Sequence, residues 1–288
     1  MASRRIGAAT FDHGAQFITT RDPRFTSALA GLQQIGVVQE WCRGFTEHAD
    51  GHPRWRGKPS MNAVPKNLAQ GLQINLESEV LSLQRHADRW RATTRASEIF
   101  SANAVLLTPP VPQSLALLDA GAIPLPPEMR ARLTSIEYER CLAVMAVLAG
   151  PSRVPMPGCH APEAGPIAFI ADNQAKGIST EPAVTIHATH AFSLAHWERD
   201  RQESGRLLLD AAQHWLGASV TAFQVQGWRY SKPMRVDERR CAIVHELPLL
   251  LLAGDAFAGP RVEGAALSGW AAAEAILAIF SKGRPDPG

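Results

Sequence analysis

Apolar positions recur along this chain with two periods that alternate from segment to segment. Behind the Asp22-Pro23 start, Phe25, Leu29 and Leu32 return at helical spacing, which predicts a helix over 22–35 with Asp22 as its N-cap. Residues 80–85 and 89–95 alternate apolar and polar side chains about His86-Ala-Asp88, the pattern of a β-hairpin. Further strands are predicted at 37–46, 72–76, 103–108, 141–148, 167–171, 184–190, 220–230 and 241–245, with a polar hairpin over 51–59. Helices are predicted at 61–72, 113–118, 128–135, 193–199 and 202–216, and Pro- and Gly-rich 150–166 reads as a surface loop. No internal repeat or low-complexity tract interrupts this order.

The most informative stretch comes last. Leu249-Leu-Leu-Leu-Ala-Gly-Asp255 is an apolar run that stops at one acid, and Gly259-Pro-Arg-Val-Glu-Gly-Ala-Ala-Leu-Ser-Gly269 leads into an alanine-rich helix reaching about Phe280. A buried strand thus presents Asp255 at its carboxyl end. The helix beginning near Val262 aims unpaired N–H groups and a partial positive charge at whatever lies before it. Gly254, Glu263, Gly264 and Ala265 complete this candidate binding segment.

That segment resembles the C-terminal flavin-binding motif of the FAD-dependent amine oxidase and renalase superfamily. Phe11-Asp-His-Gly-Ala-Gln-Phe-Ile-Thr-Thr-Arg-Asp-Pro-Arg-Phe25 is similar to the segment after that superfamily's Gly-Gly-Arg flavin loop. Supporting matches are Glu79-Val80, Leu106-Leu-Thr-Pro-Pro-Val-Pro-Gln113 and Gly227-Trp-Arg-Tyr-Ser-Lys-Pro233. The resemblance implies an α/β (mixed α+β) fold: an incomplete Rossmann-like FAD domain (1–18, 60–115, 246–288) and an inserted, mainly antiparallel substrate domain (19–59, 116–245). It implies FAD contacts from Asp12, Gly14, Ala15, Val80, Gly254, Asp255, Val262, Glu263, Gly264 and Ala265. Gln16, His13, Trp228 and Tyr230 would line the reacting face.

One departure is plain. The superfamily opens with a strand, Gly-x-Gly-x-x-Gly, a helix and an acid-terminated strand, which hold the dinucleotide's pyrophosphate and ribose. Here Gly7 and Gly14 have neither that spacing nor an expected strand before them. By the resemblance, Met1 stands where an internal methionine would be, and the unit that would precede it is roughly 50 residues long. The implied reaction is hydride transfer from a reduced nicotinamide species or an amine to flavin, with O2 as final acceptor. The competing expectation is a non-catalytic remnant that cannot hold FAD and self-associates through an exposed sheet edge.

Composition narrows partners more than chemistry. The chain has 288 residues, 45% apolar and 19% charged, with net charge +2 and no basic stripe, which argues against nucleic acid. Its apolar runs look too short or interrupted to span a bilayer, and the N-terminus lacks the apolar run of a signal peptide. Four scattered cysteines without Cys-x-x-Cys spacing fit free thiols in the cytoplasm. Placed on one strand, His187 and His190 would point to opposite faces, so no metal site is expected there.

Overall fold

A computed structural model describes residues 1–45 and 50–282. The chain divides into two compact units: residues 1–72 with 139–231, and residues 73–138 with 232–288. This division departs from the sequence expectation at both ends. Residues 1–18 and 60–72 fold with the antiparallel sheet, and 116–138 and 232–245 fold with the C-terminal helix.

The first unit is built on a five-stranded sheet in the order Cys159–His160, Ile167–Asp172, Ala183–Ala188, Tyr138–Leu148, Val220–Pro233. The first four strands pair antiparallel. One face is apolar, and Leu142, Val144, Ala146, Ile170, Val184 and Ile186 pack there with Leu208, Leu209 and Leu216 from helical residues 201–216. Helix Arg201–Ala211 starts at Asp200, whose carboxylate accepts from the Gln202 and Glu203 N–H groups. Close packing then requires Gly205, because a Cβ there would strike the Phe223 ring and Val225.

The N-terminus is a hairpin that sequence periodicity missed. Ser3–Ile6 pairs with Ala9–Asp12 across a turn at Gly7, whose φ of +59° suits glycine. A strand does precede Gly7, contrary to expectation, but it belongs to a hairpin and not to a dinucleotide loop. Phe11 and Ala9 are buried against Met145 and Ala183 of the sheet. Helix Pro23–Gln34 follows with Asp22 capping Arg24 and Phe25, as its pattern predicts. The expected 37–46 strand is shorter, Val38–Cys42, paired with Arg54–Gly57; Thr46 lies outside the described residues.

The second unit holds a meander, Val80–His86, Arg89–Thr94 and Ile99–Ala102. It also holds a three-stranded sheet in the order Ala242–His245, Leu249–Leu252, Ala104–Leu107. Leu249–Leu252 and Ala104–Leu107 run parallel, and every residue of Leu249–Leu252 is buried. The expected strand at 72–76 is absent; that segment is irregular, and Leu72, Ile74 and Leu76 are exposed. Apolar content there suggested a strand, but no neighbouring strand accepts its backbone. Leu83, Trp90, Leu107, Leu118, Leu250 and Phe257 form the core. Gly121 is required where the chain crosses the Leu83 carbonyl, into which a Cβ would run.

Helix Val262–Lys282 is longer than the sequence implied. By length and composition it could cross a membrane, which corrects the expectation that no apolar stretch is long enough. Those two properties also belong to core helices of folded domains. Leu267 and Ala272 face inward, whereas Leu277 and Phe280 are exposed.

Candidate functional site

Site residues named from the sequence fall in both units. Asp12, His13, Gly14, Ala15, Gln16, Trp228 and Tyr230 belong to the first, and Val80, Gly254, Asp255, Val262, Glu263, Gly264 and Ala265 to the second.

In the first unit they converge on a charge that periodicity could not reveal. Lys176, on the turn between strands Ile167–Asp172 and Ala183–Ala188, is fully buried, and its ammonium donates to Asp12 Oδ2 at 2.9 Å. Asp12 is fully buried as well. Its Oδ1 accepts from the Ser3 hydroxyl at 2.7 Å and from the Met61 N–H at 2.9 Å. Gln16 closes the group: its amide nitrogen donates to the Asp12 carbonyl at 2.6 Å, and its oxygen accepts from Lys176 at 3.3 Å. Burial pulls the Lys176 ammonium pKa down, and the Asp12 carboxylate opposes that pull.

Two residues expected at the cofactor and substrate are thus engaged within the protein. Three internal donors, Ser3, Met61 and Lys176, take the Asp12 carboxylate. Gln16 is a clamp on the Asp12–Lys176 pair, with both ends of its amide engaged by protein.

His13 lies against Trp228, ring centroids 5.4 Å apart and nearly parallel at 21°. Its carbonyl receives two donors, Trp228 Nε1 at 2.8 Å and His187 Nε2 at 3.2 Å. The His13 Nδ1 is buried and has no hydrogen-bond partner among the described residues. Gly14 is small of necessity: a Cβ would lie 3.2 Å from the Ala2 nitrogen and 3.7 Å from the Trp228 ring. Trp228 and Tyr230 are half-buried on their strand and Arg229 between them is exposed, as alternation requires. His190, expected on the same strand as His187, instead opens helix His190–Ala195, where its Nδ1 accepts from the Arg140 N–H at 2.9 Å.

Beside Lys176 stands an aromatic group absent from the sequence expectation. Phe17, Phe45 and Phe169 have centroids 5.2–6.1 Å apart, and Trp41 lies 6.5 Å from Phe17. Arg54 sits 4.2 Å over the Phe45 ring and Lys176 4.9 Å over Trp41. These residues come from four segments scattered between positions 17 and 176. Aromatic identity was the only signal in the sequence, and only the fold gathers them.

The two imidazoles set a pH response. Burial, helped by Arg4 and opposed by Asp12, holds His13 down at about 4. Burial also holds His187 down at about 4, against its bond to the His13 carbonyl. Below about pH 6.5 the unfolded rings take protons that the folded rings refuse until pH nears 4, so stability falls as pH falls through that window. The expected loss is on the order of 3 kcal/mol for each ring as pH falls through the whole window. A melting temperature that stays flat from pH 6.5 to 5 would refute this.

The second unit carries the segment around Asp255. Leu249–Leu252 ends at Gly254-Asp255, and burial raises the Asp255 pKa while the N–H groups of Asp255 and Ala256 oppose the rise. Gly254 (φ +146°) and Gly259 (φ +118°) hold backbone conformations that favour glycine, and the space over Gly259 is open. Gly264 is different: a Cβ there would strike the Gly259 carbonyl, so its smallness serves packing of the helix start onto the loop. Glu263 is buried. Val80 is exposed at the start of its strand, beside the Glu79–Arg95 ion pair. The donors suit a flavin dinucleotide in part, with an acid for hydroxyls, a helix start for negative charge and open backbone for a flat ring. A cleft of about 560 Å³ among Arg85, Asn103, Pro248 and Phe280 lies at the opposite, amino ends of the parallel strands.

Comparisons with known proteins supply the family. The sequence model of the family described as flavin containing amine oxidoreductase matches residues 9–277. A protein assigned as a protoporphyrinogen oxidase from Exiguobacterium sp. superposes with TM-score 0.56 at 16% identity, covering 77% of this chain and 52% of that one. Wild-type putrescine oxidase bound to putrescine gives 0.57 at 14% identity, with coverage of 81% and 56%. A variant of putrescine oxidase redesigned in its cofactor binding gives 0.59 at 15%, with coverage of 81% and 55%. At such identities the likeness speaks for the fold alone. The chain spans about half the length of these structures.

Proposed function

The chain belongs to the flavin-containing amine oxidoreductases, and from that premise we propose that it serves a FAD-dependent oxidoreductase of renalase-like type, with O2 as final electron acceptor. FAD is the cofactor consistent with the family. The observation that carries the reading is the strand Leu249–Leu252 ending in half-buried Asp255, followed by the glycine-backed start of helix Val262–Lys282.

When bound, FAD supplies the two-electron acceptor for the substrate's hydride. Asp255 accepts hydrogen bonds from the cofactor's hydroxyls, and the first turn of the Val262–Lys282 helix places partial positive charge where negative charge gathers. In the first unit the Trp228 ring stacks on His13 and holds the imidazole's orientation.

Of the two substrate classes, a reduced nicotinamide species is favoured over an amine. In the aromatic group of Phe17, Trp41, Phe45 and Phe169, Arg54 already places a cation over Phe45 and Lys176 one over Trp41. A neutral dihydropyridine ring meets no such competition. The four free thiols fit a reducing compartment, the cytoplasm.

A second reading has its own observation. Among the described residues no strand pairs with the far edge of Ala104–Leu107. Such an edge favours a chain that self-associates through it instead of retaining FAD. The visible spectrum of the purified protein, with a FAD titration, separates the two. The expected result is flavin retention that falls roughly 10- to 100-fold in affinity in Asp255→Asn, the worth of one charge-assisted hydrogen bond. A colourless, aggregating product with no saturable FAD binding would replace the first reading with the second.

A further inference from the structure

Cys42 ends strand Val38–Cys42 and Cys159 begins strand Cys159–His160, so the two are far apart in sequence and belong to different sheets. The fold nevertheless buries them in one cluster with Ala171, walled by Trp41, Phe45 and Phe169, where each thiol acts on the other's ionisation. The backbones alongside are tied as well, since Trp41 Nε1 donates to the Pro157 carbonyl at 3.1 Å.

We infer that Cys42 and Cys159 form an oxidisable dithiol, which hydrogen peroxide converts to a disulfide joining the Val38–Cys42 strand to the segment that carries Cys159.

The two sulfurs are unequal in a way that suits this chemistry. The S–H of Cys159 donates to Cys42, and the Gly44 N–H and the Arg54 guanidinium add to that pull, so Cys42 is drawn down to about 7 against its burial. Cys159 is pushed up, first because ionising it would lose that hydrogen bond and next by burial. One thiol is therefore the nucleophile and the other keeps its proton until needed. Cys141, pushed up to about 12 by burial, and Cys241, also raised by burial, have no such partner effect. Cys42 keeps 8% of its surface exposed, whereas Cys159 is fully buried.

The steps balance. The Cys42 thiolate attacks one peroxide oxygen and the O–O bond breaks, giving a sulfenic acid and a hydroxide that takes up the proton Cys42 released. The Cys159 sulfur then attacks the sulfenic sulfur. The S–S bond forms, the S–O bond breaks, and the hydroxyl leaves as water with the Cys159 proton. Two thiols lose two electrons and one peroxide becomes two waters. Hydrogen peroxide is also what reoxidation of a flavin by O2 releases, which would make the pair responsive to the proposed enzyme's own product.

The test needs no bound flavin, so its outcome is separable from that of the FAD reading. The purified full chain is treated with a small molar excess of hydrogen peroxide, then assayed by thiol titration and by peptide mapping without reductant. The expected result is loss of two of the four free thiols, a single cross-linked peptide pair containing Cys42 and Cys159, and a melting temperature raised by roughly 5–10 °C. Cys159→Ser is expected to stop at a sulfenic acid on Cys42, trapped by dimedone, and Cys42→Ser to slow thiol loss at Cys159 at least about 10-fold. The inference is overturned if wild-type chain loses Cys241 or Cys141 first while Cys42 and Cys159 still titrate. Over-oxidation of Cys42 with no cross-link to Cys159 overturns it equally.

Discussion

Replacing Lys176 by methionine is expected to cost about 3–5 kcal/mol of folding stability at pH 7, read from the denaturant midpoint. The ammonium stabilises a carboxylate that no water reaches, for both partners are fully buried. Removing it leaves Asp12 charged in a low-dielectric interior, still tied to Ser3 and Met61. A loss of that size is a large part of the total stability of an ordinary domain, so the variant is expected to be partly unfolded at 37 °C. Asp12→Asn alone should hurt in a similar way by stranding the lysine. Combining it with Lys176→Met should recover more than half of the summed loss, because no net charge then remains buried. A single variant losing less than 1 kcal/mol, or a double variant with fully additive losses, would show that the pair is not the lock described here.

Replacing Trp90 by alanine is expected to cost about 3–5 kcal/mol in the other unit. Trp90 is 1% exposed and packs in the cluster of Leu83, Leu118, Leu250 and Leu252. Its Nε1 also donates to the Leu249 carbonyl at 2.9 Å, at the start of the strand that leads to Asp255. Trp90→Phe keeps much of the ring volume and loses that hydrogen bond, so about 1–2 kcal/mol is expected there. Trp90→Ala should also weaken FAD binding, since the strand presenting Asp255 loses its anchor. Unchanged thermal stability in Trp90→Ala would remove Trp90 from the core assignment.

Legibility in the sequence followed the physical range of each interaction. Helix Pro23–Gln34 was readable because its cap, its proline and its apolar spacing all lie within one short window. The hairpin Val80–His86 with Arg89–Thr94 was readable for the same reason. The Ser3–Ile6 and Ala9–Asp12 hairpin was not, because most of its outer strand is exposed or half-buried and carries little apolar alternation. The expected strand over 72–76 failed in the opposite sense: apolar residues were present, and no neighbour supplied hydrogen bonds.

The order of amino acids by itself determined the family-bearing segments: the apolar run into Gly254-Asp255, the helix behind it, and the stretch from Phe11 to Phe25. Each is a contiguous pattern, so local spacing carries it. Only the tertiary structure decided what those residues face. It turned Asp12 inward onto Lys176, a residue 164 positions away, and made Gln16 their clamp. It likewise brought Cys42 to Cys159 and stacked Trp228 on His13. Burial of a charge and contact between distant side chains depend on how sheets and turns pack in three dimensions, and no local period encodes that.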